Sequence, residues 1–88
     1  MLKVSVTEEF KQQYLKLPKT IRAKMKKQEM IFKENPFHPS LHTEKLIPKD
    51  RQIWSIRVDR SYRVLFRFLT GDQVLFLMIG KHDWIYRK

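Results

Sequence analysis

The spacing of apolar positions changes along the chain, and each change marks an element. Leu2, Val4 and Val6 alternate with Lys3 and Ser5. This period of two predicts a short strand with those three residues on its buried face. Thr7 fits a helix N-cap, and Glu8 and Glu9 place negative charge in the first turn. Phe10, Tyr14 and Leu17 then recur at helical spacing, and this first helix ends at Leu17-Pro18. Pro18 suits the first turn of a second helix, where its missing N–H costs nothing. Ile21, Met25 and Phe32 form the apolar stripe of that helix, with Met30 and Ile31 beside it and Gln28 interrupting it. Lys24, Lys26, Lys27 and Lys33 project from the other sides. Two helices joined so closely form an αα-hairpin, and Asn35-Pro36 stops the second one.

Residues 37–52 show no clean period, and Pro36, Pro39 and Pro48 punctuate the region. This is a long connection of the functional or mobile kind, with Leu41 and Leu46 as its expected anchors. Alternation returns at 53–58, with Trp54, Ile56 and Val58 on one face and Ser55 and Arg57 on the other. Across the Asp59-Arg60-Ser61 turn, 62–69 sets Tyr62, Val64, Phe66 and Phe68 against Arg63, Leu65, Arg67 and Leu69. Thr70-Gly71-Asp72 makes the next hairpin turn. Residues 73–79 are nearly all apolar and so predict the most buried strand. Gly80 ends it, leaving 81–88 as a tail. The order β-α-α-β-β-β predicts a single α+β domain over 1–88, its N-terminal helical hairpin packed on one face of a mostly antiparallel four-stranded sheet.

Charge changes the picture more than composition does. The 88 residues, 42% of them hydrophobic, suffice for one packed core and argue against disorder. The net charge is +10, shared between residues 1–34, with nine basic and four acidic side chains, and 35–88, with ten and five. It is therefore no detachable basic tail, and it calls for a polyanionic partner: nucleic acid, an anionic membrane or an acidic protein. The absence of Cys excludes disulfides, thiolate catalysis and Cys-based zinc sites. No apolar run approaches the ~20 residues of a membrane span, and no apolar h-region follows the N-terminus. A cytoplasmic chain without membrane attachment is expected.

By strand parity Arg57, Arg63 and Arg67 share the sheet face away from Trp54, Val64 and Phe66. Either that face is an ordinary solvated surface, or three planar guanidiniums form a groove for phosphate oxygens. His82 is the chain's best general acid or base near neutrality, on a tail able to fold back over that face. Tyr86 follows four residues later. His38, His42 and Glu44 have a superficial metal-ligand spacing, but Pro39 breaks any helix between the histidines, and no metal is expected. The aromatic residues of the strands are read as core. Trp84, in the tail, either stacks on a base or partner or closes the end of the core.

These residues carry a family likeness. Nearly the whole chain resembles the RelE/ParE superfamily of bacterial toxins from type II toxin–antitoxin systems. The likeness rests on the element order, the Phe10…Leu17-Pro18 break and the Pro36…Leu41-His42…Leu46 loop. Its most specific stretches are Trp54-Ser55-Ile56-Arg57-Val58-Asp59-Arg60-Ser61-Tyr62-Arg63-Val64-Leu65-Phe66 and Ile79-Gly80-Lys81-His82-Asp83-Trp84-Ile85-Tyr86. The resemblance implies a ribosome-dependent mRNA endonuclease of the RelE/YafQ/YoeB-like branch, acting without metal or other cofactor. Implied partners are a cognate acidic antitoxin, the ribosome and mRNA in its A site. In the implied reaction a 2′-hydroxyl attacks the adjacent phosphate. Arg63 matches the arginine that stabilises the phosphorane, His82 the C-terminal histidine of the YafQ- and YoeB-like branches, and Tyr86 the aromatic after it. Glu44 falls near the acid–base position of those branches, with His42 as its rival. Arg57 sits where some members have a basic residue; with Arg60, Arg67, Lys81 and His42 it makes up the expected RNA-binding set. Two departures stand out: Ser61 replaces an Asp of the YafQ branch, and His82 stands where RelE itself has Arg. A ParE-like gyrase poison and a non-catalytic basic nucleic-acid-binding protein are the alternatives.

Overall fold

The computed structural model describes residues 1–85. It contains β1 (Lys3–Val6), α1 (Glu8–Leu15), α2 (Lys19–Glu34), β2 (Glu44–Lys45), β3 (Trp54–Arg57), β4 (Tyr62–Phe68), β5 (Gln73–Lys81) and α3 (His82–Ile85). The strands form one sheet in the order β1-β5-β4-β3-β2. β1 runs parallel to β5, and the other pairs are antiparallel. The α+β reading holds, with two corrections of detail. The sheet has five strands rather than four, because Glu44 and Lys45 pair with Ser55 and Trp54 inside the long connection. The tail begins as a helical turn, α3.

Local chemistry explains the helical hairpin. The Thr7 hydroxyl accepts from the Phe10 N–H at 3.0 Å, capping α1. Pro18 precedes α2 rather than lying inside its first turn, and its carbonyl accepts from Ile21 and Arg22. Ile21, Met25, Gln28 and Phe32 face the sheet. The Phe32 ring meets Phe66 and Phe76 edge-on at 5.0 and 5.4 Å, a geometry that adds roughly 0.5–1.5 kcal/mol per pair beyond burial. Gln28 does not interrupt the packing to no purpose: its amide donates to the carbonyls of Ser40 and Arg57, tying the long loop to β3.

Three expectations about burial are corrected. Val6 is exposed at the end of the edge strand β1, on the wall of a groove that it shares with Phe10 and Tyr14 of α1 and Met25 of α2. Trp54 is only half-buried, packing with Phe37 and Phe68 at the side of the core. The most enclosed strand is β4, in the middle of the sheet, rather than β5. β5 also continues through Gly80 to Lys81 and carries a bulge: Leu65 pairs with Met78 but Phe66 with Phe76, leaving Leu77 as the extra residue. The bulge lets Val74, Phe76 and Ile79 all enter the core despite the three-residue step between the last two. Residues of α1 and its cap satisfy its backbone, with Thr7 Oγ1 donating to the Leu77 carbonyl at 2.7 Å and Ile79 N–H donating to Gln13 Oε1 at 2.8 Å.

Candidate active site

Beyond the bulge, the phase of β5 puts Gly80 opposite Arg63 on the face away from α1 and α2. A Cβ at position 80 would overlap Cε3 and Cζ3 of the Trp84 ring. The missing side chain thus lets α3 fold back onto this face, where Ile85 is 1% exposed and Leu65 is buried as well. The face is therefore not the open surface that strand parity alone implies.

The turn between β3 and β4 organises what remains. Asp59 Oδ1 accepts the N–H groups of Ser61 and Tyr62, both at 2.9 Å, and Oδ2 meets the Lys24 ammonium at 3.3 Å. Burial alone would raise the Asp59 carboxyl; the two N–H groups and Lys24 outweigh it and hold the pKa below its ordinary value. The Ser61 carbonyl accepts the His82 N–H at 2.7 Å, fixing the start of α3 to this turn. Arg63 Nη1 donates to the carbonyls of Asp59, Arg60 and Tyr62 at 2.8, 3.2 and 3.0 Å. Arg63 is thereby only 8% exposed. It is a fixed guanidinium rather than a loose surface arginine, because the turn folds its carbonyls around it.

The long loop arrives from the other side. Leu41 is fully buried, and the Thr43 hydroxyl donates to the Pro36 carbonyl. Between them His42 adopts a left-handed conformation, φ 48° and ψ 47°, which is uncommon outside glycine. This turns the chain so that Glu44 lands beside Ser55 on the Arg57 face. The result is a polar cleft of about 310 Å³ lined by His42, Thr43, Glu44, Ser55, Arg57, Arg63 and His82. A second cleft of about 440 Å³, lined by Arg60, Ser61, Arg63, Lys81, His82 and Asp83, shares Arg63 and His82 with it.

Of the residues singled out from sequence, Arg57, Arg63, His82, Glu44 and His42 line one cleft, and Arg60 and Lys81 line its neighbour. Arg67 is exposed on the same face but lines neither, since Leu65 lies between it and Arg63 along β4. Tyr86 lies outside the described residues. His38 turns away, its Nδ1 accepting the Ser40 N–H at 3.1 Å. Among the described residues no three His, Asp or Glu side chains form a metal-ligand group, and no helix is long and apolar enough to cross a membrane. Asp59 and Gly80 were not singled out for the site, although Asp two residues before Ser61 is a recognisable Asx-turn signal.

Arg57 and Arg63 are direct cross-strand partners, and like charges so placed repel. The carboxylate of Glu44 forms no ion pair with either among the described residues. A pair of guanidiniums held together without a counterion among the described residues, with two imidazoles and a carboxylate on the same walls, suits an anion whose neighbouring atoms exchange protons.

The same fold occurs in solved structures of toxins. The chain is similar to a YoeB/ParE toxin from Agrobacterium tumefaciens, with 19% identity and a TM-score of 0.76 over 92% of this chain and 99% of that one. It is likewise similar to YafQ from E. coli strain BL21(DE3), with 14% identity and a TM-score of 0.74 over 98% and 99%. A chain of the archaeal RelE–RelB complex from Pyrococcus horikoshii OT3 matches with 15% identity and a TM-score of 0.76 over 91% and 93%. No protein-family model and no curated protein matches the sequence.

Proposed function

We propose that the protein is the toxin of a type II toxin–antitoxin pair and acts as a metal-independent, ribosome-dependent mRNA endonuclease. The observation that carries this reading is the cleft that joins Arg57, Arg63, His42, Glu44 and His82 in a fold shared with a YoeB/ParE toxin and with YafQ. In the proposed reaction the 2′-oxygen bonds to the adjacent phosphorus and the P–O5′ bond breaks. One product ends in a 2′,3′-cyclic phosphate and the other in a 5′-hydroxyl. Arg63 and Arg57 stabilise the equatorial charge of the phosphorane. The proton of the 2′-hydroxyl goes to one of Glu44, His42 or His82, and another of these protonates the leaving O5′. Arg60 and Lys81 in the adjoining cleft hold a neighbouring phosphate, and Tyr86 is retained as a candidate by resemblance alone.

A cognate antitoxin belongs to the proposal, because neighbours of this fold occur in RelE–RelB and YoeB–YefM complexes. For a chain of net charge +10 the partner is expected to be acidic, folding as it binds. The experiment is expression without the antitoxin, followed by pulse labelling with methionine and thymidine. Protein synthesis is expected to stop first. Loss of DNA synthesis while translation continues would replace this reading with a gyrase poison.

A further inference from the structure

One buried polar side chain of α2 touches both walls of the cleft that holds Arg57 and Glu44. Gln28 stands in the apolar row of α2 between Met25 and Phe32 and is only 9% exposed. An amide in that place is costly unless its N–H groups are bonded. Its Nε2 donates to the Arg57 carbonyl at 2.9 Å and to the Ser40 carbonyl at 3.2 Å. Both hydrogens of the amide are thus committed to backbone, and to two segments far apart in the chain.

The strand register explains why these carbonyls need a partner from outside the sheet. The Val58 N–H donates to the Tyr62 carbonyl at 3.0 Å. Arg57 and Arg63 are therefore a non-hydrogen-bonded pair, and the Arg57 carbonyl points away from β4, toward the side of β2. There β2 has already ended. Glu44 faces Ser55, and the same register continued would set His42 opposite Arg57. His42 is instead left-handed, and its N–H turns back to the Pro39 carbonyl at 3.2 Å. The ladder between β2 and β3 lacks its next rung, and Gln28 supplies one from the helix layer. Ser40 belongs to the helical turn Pro39–Leu41, directly ahead of His42 and Glu44, whereas Arg57 closes β3. One amide thereby sets the spacing between the loop wall and the strand wall. Lys24, a turn earlier on α2, reaches Asp59 at 3.3 Å, but its side chain is 55% exposed and that contact is the weaker brace.

We infer that Gln28 is a positioning residue of the cleft, holding His42 and Glu44 at a fixed distance from Arg57 through the Ser40 and Arg57 carbonyls. It lines neither cleft itself and acts from the opposite side of the sheet. The catalytic consequence rests on the cleavage reading; the placement of the loop does not.

The experiment compares Gln28→Met, Gln28→Asn and Ile21→Val with the wild-type chain. Methionine keeps the length of the side chain and removes both donors. Asparagine keeps the amide on a shorter stem. Ile21→Val weakens the same helix face in the core and leaves both carbonyls bonded. Cleavage of mRNA on purified ribosomes is measured well below each melting temperature, beside backbone amide exchange in the free chain. Gln28→Met is expected to lower kcat by about 10- to 100-fold with KM changed by less than about twofold, since no charge is removed. Gln28→Asn is expected to keep more of kcat than Gln28→Met, and Ile21→Val to keep all of it. The amides of Leu41 and His42 should exchange about tenfold faster in Gln28→Met, and those of Phe66 and Phe76 no faster than in Ile21→Val. An unchanged kcat in Gln28→Met would overturn the inference, and so would a loss that Ile21→Val reproduces. Should Gln28→Met not fold, Gln28→Asn decides by the same readouts, and wild-type kcat in that variant overturns it. A wild-type chain that cuts no mRNA removes the cleavage reading instead. Exchange at Leu41 and His42 then still decides whether Gln28 holds the loop wall, and unchanged rates there overturn the inference.

Discussion

Arg57 and Arg63 look alike in the sequence and differ in the structure. Arg57 is exposed at the end of β3 and makes no side-chain hydrogen bond among those described, whereas Arg63 is embedded in the carbonyls of Asp59, Arg60 and Tyr62. Arg57→Ala is therefore the cleaner probe of the cleft: mRNA cleavage on purified ribosomes should fall at least tenfold while stability stays within about 0.5 kcal/mol. Arg63→Ala should lower cleavage by about 100-fold and also destabilise by about 1–3 kcal/mol, because the turn loses its internal donor. Denaturant melts run beside the cleavage assay separate the two effects. Asp59 adds a pH signature. Its pKa is lower folded than unfolded, so its stabilising contribution is fully present above the ordinary aspartate range, near pH 4. That contribution is lost as pH falls through the lowered value. The difference in melting temperature between the wild-type protein and Asp59→Asn should therefore be constant from neutrality to about pH 5 and shrink below it. A difference that does not change with acid would refute this role for the carboxylate.

The helical hairpin was legible in the sequence because caps and the 3.6-residue stripe act locally: Thr7 and Phe32 do what their types and spacing predict, and Pro18 misses its expected place by one position, as the N-cap of α2. The site was less legible because it depends on two events at a distance. The bulge at Leu77 draws its hydrogen bonds from Thr7 and Gln13, some 70 residues away in the chain, and strict alternation cannot reveal it. The fold-back of α3 depends on Gly80 leaving room for Trp84, where the sequence suggests only the end of a strand. Parity put Arg63 on the correct face, but it could not show Ile85 and Leu65 closing that face or the turn enclosing the guanidinium. Gly80→Ala tests this element directly. The new methyl should push the Trp84 ring off β5 and move His82 with α3. The expected result is a shift in tryptophan emission and at least tenfold slower cleavage, with the core retained. Phe32→Ala, by contrast, should cost about 3–5 kcal/mol and leave a domain of this size largely unfolded.

At the scale of the molecule, basic surface lies on both faces of one small sheet, and α3 and the long loop shape one face into paired clefts. Such a surface should bind RNA with a steep salt dependence and should be masked by an acidic partner. Co-expression with the neighbouring open reading frame is expected to yield a stoichiometric complex, and a basic or non-binding neighbour would count against the toxin reading. The proposed cleavage in the cleft requires the substrate's own 2′-hydroxyl. The decisive measurement uses purified ribosomes carrying mRNA with a single 2′-deoxy nucleotide at the mapped cleavage position, compared with all-ribose mRNA. The all-ribose message should be cut to a 2′,3′-cyclic phosphate and a 5′-hydroxyl, at a rate that His82→Ala lowers by about 10²–10⁴, and the deoxy message should stay intact at that position. Cleavage of the deoxy message there, or fragments bearing 5′-phosphates, would contradict it.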